Sequence, residues 1–374
     1  MRCGGHPASP RHPHPGAAHP SGVPAGARRP QHSAALVVSA TRILVTGGAG
    51  FVGSHHVRML LGPSGPPDVA VTVLDNLTHC GGTTNLDDVR GEERFTFVHG
   101  DIRDADLVDG LLAEHDQVVH FAAESPAGRP PAGAAACVQT NVLGTQTLLD
   151  AALRHRARRF VHISSDEVYG SIRHGSWPET DPLRPNSPRA ASKAAADLIA
   201  LAYHRAHGLD VRVTRCANTY GPHQHPAKVV PLFITRLSEG RPVSLHGDGH
   251  HVRDWIHVDD HVRGVELVRA LGRPGEVYNI GAGNELSDRE LTALLLAACG
   301  GDWALVRFVK DRTGHDGRCS VDFTKIRTEL GFTPSKGMSP GLAETVDWYR
   351  THRSWWEPLL RRAAQEEGRK RVPL

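Results

Sequence analysis

Arg42-Ile43-Leu44-Val45-Thr46-Gly47-Gly48-Ala49-Gly50-Phe51-Val52-Gly53 is a β-branched run that passes directly into glycines at 47, 50 and 53, and a helical apolar pattern follows to Leu61. In a strand, glycine loop and helix of this kind the first glycine permits the tight turn and the second lets the backbone approach a pyrophosphate. The third allows the helix to pack close on the strand, and phosphate charge rests at the helix N-terminus. A glycine motif alone would also fit an ordinary turn. Here a second run, Ala70-Val71-Thr72-Val73-Leu74, ends in Asp75. An acid at that place hydrogen-bonds an adenosine ribose and repels a 2′-phosphate, which selects NAD over NADP. The stretch from the glycines to Asp75 exceeds the usual ~20 residues, and Gly62-Pro63-Ser64-Gly65-Pro66-Pro67 accounts for the excess as a loop insertion. Phe51, Val52 and Asn76 join these positions in the expected cofactor cradle.

Outward from this unit the alternation continues. Phe95-Thr96-Phe97-Val98-His99 is a third strand leading to Gly100-Asp101-Ile102, where Asp101 and Ile102 are placed for an adenine-edge contact. Gln117-Val118-Val119-His120-Phe121 is a fourth, and the small residues Ala122 and Ala123 before Glu124-Ser125 leave room for a cofactor. Thr140-Asn141-Val142 opens a helix to about Arg156. Phe160-Val161-His162-Ile163 then runs into Ser164-Ser165-Asp166-Glu167-Val168-Tyr169-Gly170, two adjacent acids at a strand end. Adjacent acids there also fit a solvated turn or a helix cap. In an open α/β sheet, however, the carboxyl ends of the strands face the ligand crevice. A proline-rich loop precedes a helix from about Arg189 to His207 with Lys193 in its first turn, and Val211-Arg212-Val213-Thr214-Arg215 leads to Asn218-Thr219-Tyr220-Gly221-Pro222. Strands alternating with helices predict an α/β fold with a doubly wound parallel sheet. We expect a Rossmann-like domain over 41–216, with 251–272 returning to it, and a smaller interleaved domain from 217–250 and 273–374.

The chain has 374 residues, 39% of them apolar, which is room for two domains of ordinary soluble composition. A net charge of +3 with no basic stripe interleaved with aromatics argues against a nucleic-acid partner. Six cysteines without CxxC pairing argue against a zinc site or a disulfide framework and read as reduced thiols. No apolar run approaches the length of a membrane span, and the first residues lack the apolar core of a secretory signal, so the expected location is cytoplasmic. Residues 1–40, rich in Pro, His, Gly, Ala and Arg, are expected to be disordered. The pairs His55-His56, His223-x-His225 and His250-His251 lack a facing cysteine or carboxylate at ligand spacing, and no metal is expected.

Taken together, Thr46 to Gly53, Thr140-Asn141-Val142-x-Gly144-Thr145, the Asp166-Glu167 segment and Asn218-Thr219-Tyr220-Gly221-Pro222 resemble the extended short-chain dehydrogenase/reductase superfamily. Within it the chain is similar to the dTDP-glucose 4,6-dehydratases from residue 42 to about 350. The Asp-Glu pair is the discriminating feature, since the related epimerases lack it. The resemblance implies an NAD-dependent dehydration of dTDP-glucose in a homodimer paired through the helices near Thr140 and Arg189. Hydride leaves C4, Glu167 removes the C5 proton, Asp166 donates to the departing C6 hydroxyl, and the hydride returns to C6. It further implies Lys193 at the nicotinamide ribose, Ser125 and Ser165 at the sugar, and Asn218, Lys228, Arg253, Arg312 and His315 on the diphosphate and base. One position departs from the pattern: the superfamily places a Tyr four residues before the Lys, and this chain has Arg189. A guanidinium does not accept a proton, so Tyr169, Ser165 or a bound water is required as substitute. Otherwise the chain is a binding protein without catalysis. His246 and Cys319 also stand where the family carries aromatics.

Overall fold

The computed structural model describes residues 40–78, 82–124, 133–311 and 315–370, with side chains to 362. Of the expected disordered tail only Ala40 falls among them, and the expected substrate contacts Ser125 and Arg312 lie outside them.

The chain opens with strand β1 (Thr41–Thr46), helix α1 (Phe51–Leu61), β2 (Val69–Asp75), β3 (Phe95–His99), α2 (Ala105–Leu112) and β4 (Gln117–His120). A helical run follows as α3 (Ala134–Cys137), a π-helical stretch over Val138–Gly144, and α4 (Thr145–Arg154). It therefore starts before Thr140, and the residues expected to open a helix sit inside its π segment. After β5 (Arg159–Ser165) come α5 (Pro188–His207), β6 (Val211–Cys216), β7 (Asn218–Tyr220), α6 (Val229–Ser238), β8 (Val243–His246) and β9 (Val252–His257). The remainder is α7 (Val258–Leu271), β10 (Val277–Ile280), β11 (Glu285–Ser287), α8 (Asp288–Cys299), β12 (Val306–Val309), β13 (Arg318–Cys319), α9 (Thr324–Leu330), α10 (Met338–Thr351) and α11 (Arg353–Lys370).

Seven strands form one wholly parallel sheet in the order β3-β2-β1-β4-β5-β6-β10. Helices cover both faces, so central strands such as β4 are buried along their whole length. Val57 of α1 and Val265 of α7 share a core with Val45 and Val161, while Val108 of α2, Leu148 of α4 and Ala200 of α5 share another with Leu44 and Phe160. The chain leaves β1 toward β2 and β3 and comes back to β4 on the other side. The carboxyl ends of β1 and β4 therefore flank the switch point at which such sheets bind ligands.

Local chemistry sets the helix ends near this crevice. Gly47 has φ +70°, and a Cβ on it would come within 2.5 Å of the Ala122 backbone. One on Gly53 would lie 2.3 Å from the Gly47 carbonyl, so α1 can pack this close only through glycine. Helix α5 begins where the Ser187 hydroxyl accepts the Ala190 N–H at 3.1 Å, with Pro188 in the first turn.

A second layer holds β7, β9, β11 and β13 in one small sheet and β8 with β12 in a parallel pair. Phe233 of α6, Leu291 of α8 and Val346 of α10 form its core with Leu245 and Trp255. Two expected boundaries fall elsewhere. β9 belongs to the small sheet while α7 packs back on the large one, and β10, expected in the smaller domain, forms an edge of the large sheet by pairing with β6.

Candidate active site

A cavity of about 340 Å³ opens over the switch point. Gly47, Gly50, Phe51, Val52 and Gly53 from the glycine loop, Asp75 and Asn76 from the end of β2, Ile102, Ala122 and Ala123, Thr140, Ser165 and Lys193 all line it. Asp101 supports the rim, accepting a bond from Asn76 Nδ2 at 3.4 Å. Asp75 accepts the Ala49 N–H at 3.0 Å and the Leu77 N–H at 2.8 Å, so the glycine loop itself aims this carboxylate. Burial pushes its carboxyl above the usual range, against those two bonds. The tight loop, the small residues at 122 and 123 and an acid at the end of β2 fit NAD. Asp75→Ala should narrow the ratio of NAD to NADP affinities measured by titration. Equal affinity of the unmutated protein for both cofactors would overturn the role of Asp75.

A second cavity of about 210 Å³ is lined by Glu167, Asn218, His246, Arg253 and His315, with Phe233, Ser244, Trp255, Leu291 and Thr292. Three expected substrate contacts thus meet there. Lys228 and Ser165, the other two in the described residues, line the first cavity with Gln224, His225 and His261.

The two acids lie between these spaces. β5 ends at Ser165, whose hydroxyl accepts the Glu167 N–H at 3.3 Å and starts a short 3₁₀ turn over Asp166–Tyr169. The turn sends the two carboxyls into different surroundings. Asp166 is 2% exposed, its Oδ1 accepts the Ser165 hydroxyl at 3.0 Å, and its buried Oδ2 has no hydrogen-bond partner among the described residues. Burial first and the neighbouring Glu167 second push its carboxyl up to about 7. Glu167 instead reaches the second cavity and is bound by the Arg189 guanidinium.

Two expectations about the missing proton acceptor are thereby corrected. Tyr169 cannot substitute. It is fully buried, donates to Asn279 Oδ1 at 2.9 Å and accepts from Arg215 at 2.8 Å, and burial pushes its phenol up to about 12. Arg189 is more than an absent base, because it occupies the carboxylate expected to take the C5 proton. Lys193, one turn later, is buried and donates to the Ile163 carbonyl. Burial lowers its ammonium to about 8 against the pull of Asp197. Asn141, in the π segment, ties the walls together by accepting the Glu124 N–H at 2.7 Å and donating to Ser192 Oγ at 2.8 Å.

The residues missed from the sequence are Gln224, His225 and His261 on the first cavity and Phe233, Ser244, Trp255, Leu291 and Thr292 on the second. They are spread over α6, α7, α8, β8, β9 and the loop before α6, and no local spacing marks them. The histidine pairs also differ from expectation: His55 lies 3.4 Å from Asp259, and His251 lies 3.1 Å from Asp311. Carboxylates do face them, from distant parts of the chain.

The family model for GDP-mannose 4,6 dehydratase matches residues 44–345. A dTDP-glucose 4,6-dehydratase of Streptomyces griseus is 60% identical over 320 residues, covering 86% of this chain and 97% of that one. The crystal structure of a dTDP-glucose 4,6-dehydratase from Streptomyces venezuelae, with NAD bound, is 57% identical, has a TM-score of 0.83 and covers 85% of this chain and all of its own. The Bacillus anthracis dTDP-glucose 4,6-dehydratase in complex with NAD is 39% identical, with a TM-score of 0.80 over 86% of this chain and all of its own. The parallel seven-stranded sheet flanked by helices agrees with these likenesses, and this chain belongs to the dTDP-glucose 4,6-dehydratase family of the extended short-chain dehydrogenase/reductases.

Proposed function

We propose that this chain dehydrates dTDP-glucose to the 4-keto-6-deoxy sugar, with NAD in the first cavity and the nucleotide sugar in the second. The observation that carries this is the pair at the end of β5: a buried acid, Asp166, whose carboxyl is pushed up to about 7, beside a carboxylate, Glu167, that reaches the substrate space. NAD, when bound, supplies the acceptance of hydride at C4 and its return at C6. Asp166 holds a proton near neutral pH and gives it to the departing C6 hydroxyl. Glu167 takes the C5 proton, which the C4 ketone has acidified. Lys193 holds the nicotinamide ribose, and Arg253 holds the diphosphate. Relatives that are dTDP-glucose 4,6-dehydratases, two of them crystallised with NAD, support the reading.

Mixing the protein with NAD and dTDP-glucose and following the ultraviolet absorbance of the 4-keto sugar in alkali tests it. Binding of both without product would favour the second reading, a nucleotide-sugar binding protein without catalysis, for which the Arg189–Glu167 pair is the specific support.

Asp166 also makes a stability prediction. Its carboxyl rises from 3.8 to about 7 on folding, so between those values the folded chain holds more protons than the unfolded one, and stability falls as pH rises through that window. Asp166→Asn removes this cost. The variant should gain roughly a few kcal/mol over the unmutated chain at about pH 8 and less at about pH 5, read from urea denaturation. Equal gains at the two pH values would refute a neutral buried carboxyl.

We also propose a homodimer in the cytoplasm. Val138 and Leu143 on the π segment and Leu198 on α5 are about half exposed in the single chain, at 48%, 53% and 54%. Apolar side chains on neighbouring helices are suited to pairing with a second copy. Sedimentation should give twice the chain mass, and a monomer at micromolar concentration would count against it. For location, no helix among the described residues is long and apolar enough to cross a membrane, and Cys137, Cys216, Cys299 and Cys319 are free thiols.

A further inference from the structure

His251, Asp288 and His315 come from three separate segments, and one donor atom of each lies within 4.8 Å of the others. His251 follows β8, Asp288 opens α8 and His315 precedes β13. The two imidazoles stack with ring centroids 3.9 Å apart. Asp311 holds both of them: its Oδ2 lies 3.1 Å from His251 Nε2 and its Oδ1 lies 2.9 Å from His315 Nδ1. A carboxylate on one ring nitrogen fixes the tautomer and turns the other nitrogen's lone pair outward, the usual support behind a metal-binding histidine. The outward nitrogen of His251 is Nδ1. It is buried, has no hydrogen-bond partner among the described residues, and faces Asp288 Oδ2 at 4.0 Å.

We propose that His251, His315 and Asp288 bind a divalent transition-metal ion of the zinc class, with Asp311 as the carboxylate that orients both histidines. Imidazole and carboxylate donors suit zinc, cobalt or nickel better than magnesium or calcium, which take oxygen. Zinc ligands at 2.0–2.2 Å in a tetrahedron stand about 3.4 Å apart. The observed 4.0 Å between His251 Nδ1 and Asp288 Oδ2 therefore closes with a small side-chain movement. Three protein ligands leave a fourth position open for water. Asp288 and His315 line the second cavity, so the ion would sit in the wall of the space assigned to the nucleotide sugar.

The test is a titration of the metal-free full chain with Co²⁺, followed by visible absorption from tetrahedral cobalt. Unmutated protein should give a saturable band. His251→Gln should lose it, and Asp311→Asn should bind about 10- to 100-fold more weakly, as loss of an orienting partner does. His6, His12, His14 and His19 of the N-terminal segment are present in all three proteins and cancel in the comparison. Melting curves matched to the unmutated chain show that the variants fold, and His315→Gln replaces His251→Gln if the latter melts early. No band in the unmutated protein, or the same titration in all variants, overturns the site.

Discussion

Arg189→Tyr is expected to raise the dehydration rate by about two to four decades, the range that a general base contributes. Two defects meet at this residue. A guanidinium stays protonated at any ordinary pH and cannot take the proton of the C4 hydroxyl. The same guanidinium binds the carboxylate of Glu167, the group we propose takes the C5 proton. A phenol at 189 removes both obstacles. It stands four residues before Lys193, one helical turn away in α5, and a neighbouring ammonium lowers a phenol's pKa toward the working range. The ion pair that is lost is 29% exposed on each side, so its removal should cost no more than about 1 kcal/mol. The gain should appear in kcat, with dTDP-glucose binding little changed. Arg189→Phe separates the two defects, because it frees Glu167 without supplying a base and should recover little of the rate. If the unmutated chain is already fast and Arg189→Tyr adds nothing, another group accepts the C4 proton. If neither protein turns over although both bind dTDP-glucose, the binding-protein reading stands in its place.

What was legible in the sequence follows the range of the interactions involved. The glycine loop, Asp75 and the acids after β5 are set by contacts within one strand, turn and helix, so their spacing carries the signal. Gly47, Gly50 and Gly53 line the first cavity at the turn between β1 and α1. The second cavity is assembled from α6, β8, β9 and α8, and Phe233, Ser244, Trp255 and Leu291 each look like an ordinary core or surface residue until packing brings them together. β10 has only four residues after the turn that ends α7, so nothing local shows that it pairs with β6 at the edge of the large sheet. The Arg189–Glu167 pair joins residues 22 apart through the geometry of a turn and a helix start. The sequence shows that a tyrosine is missing. It does not show that the replacement reaches across to the carboxylate of Glu167.

Glu167→Gln tests that second group most cleanly in the Arg189→Tyr background, where it should remove the recovered rate, a fall of about two to four decades. In the unmutated chain the same change also leaves Arg189 without its carboxylate partner, so lost catalysis and an altered ion pair would be mixed. With a phenol at 189 that ambiguity is gone. Gln keeps the size and hydrogen-bonding outline of Glu but accepts no proton, so binding of dTDP-glucose should persist while product formation stops. The base at 189 and the base at 167 act on successive steps of one turnover. Their losses should therefore not add: Glu167→Gln in the unmutated chain, which lacks both bases, should be about as slow as the slower of the two single defects. Asp166 offers no rescue, since its carboxyl is pushed up to about 7 by burial first and by the charge at 167 second, and the burial that keeps it an acid remains when that charge is removed. A double variant that keeps the rate of Arg189→Tyr alone would show that the C5 proton leaves through some other group, and the division of roles between Asp166 and Glu167 would fail with it.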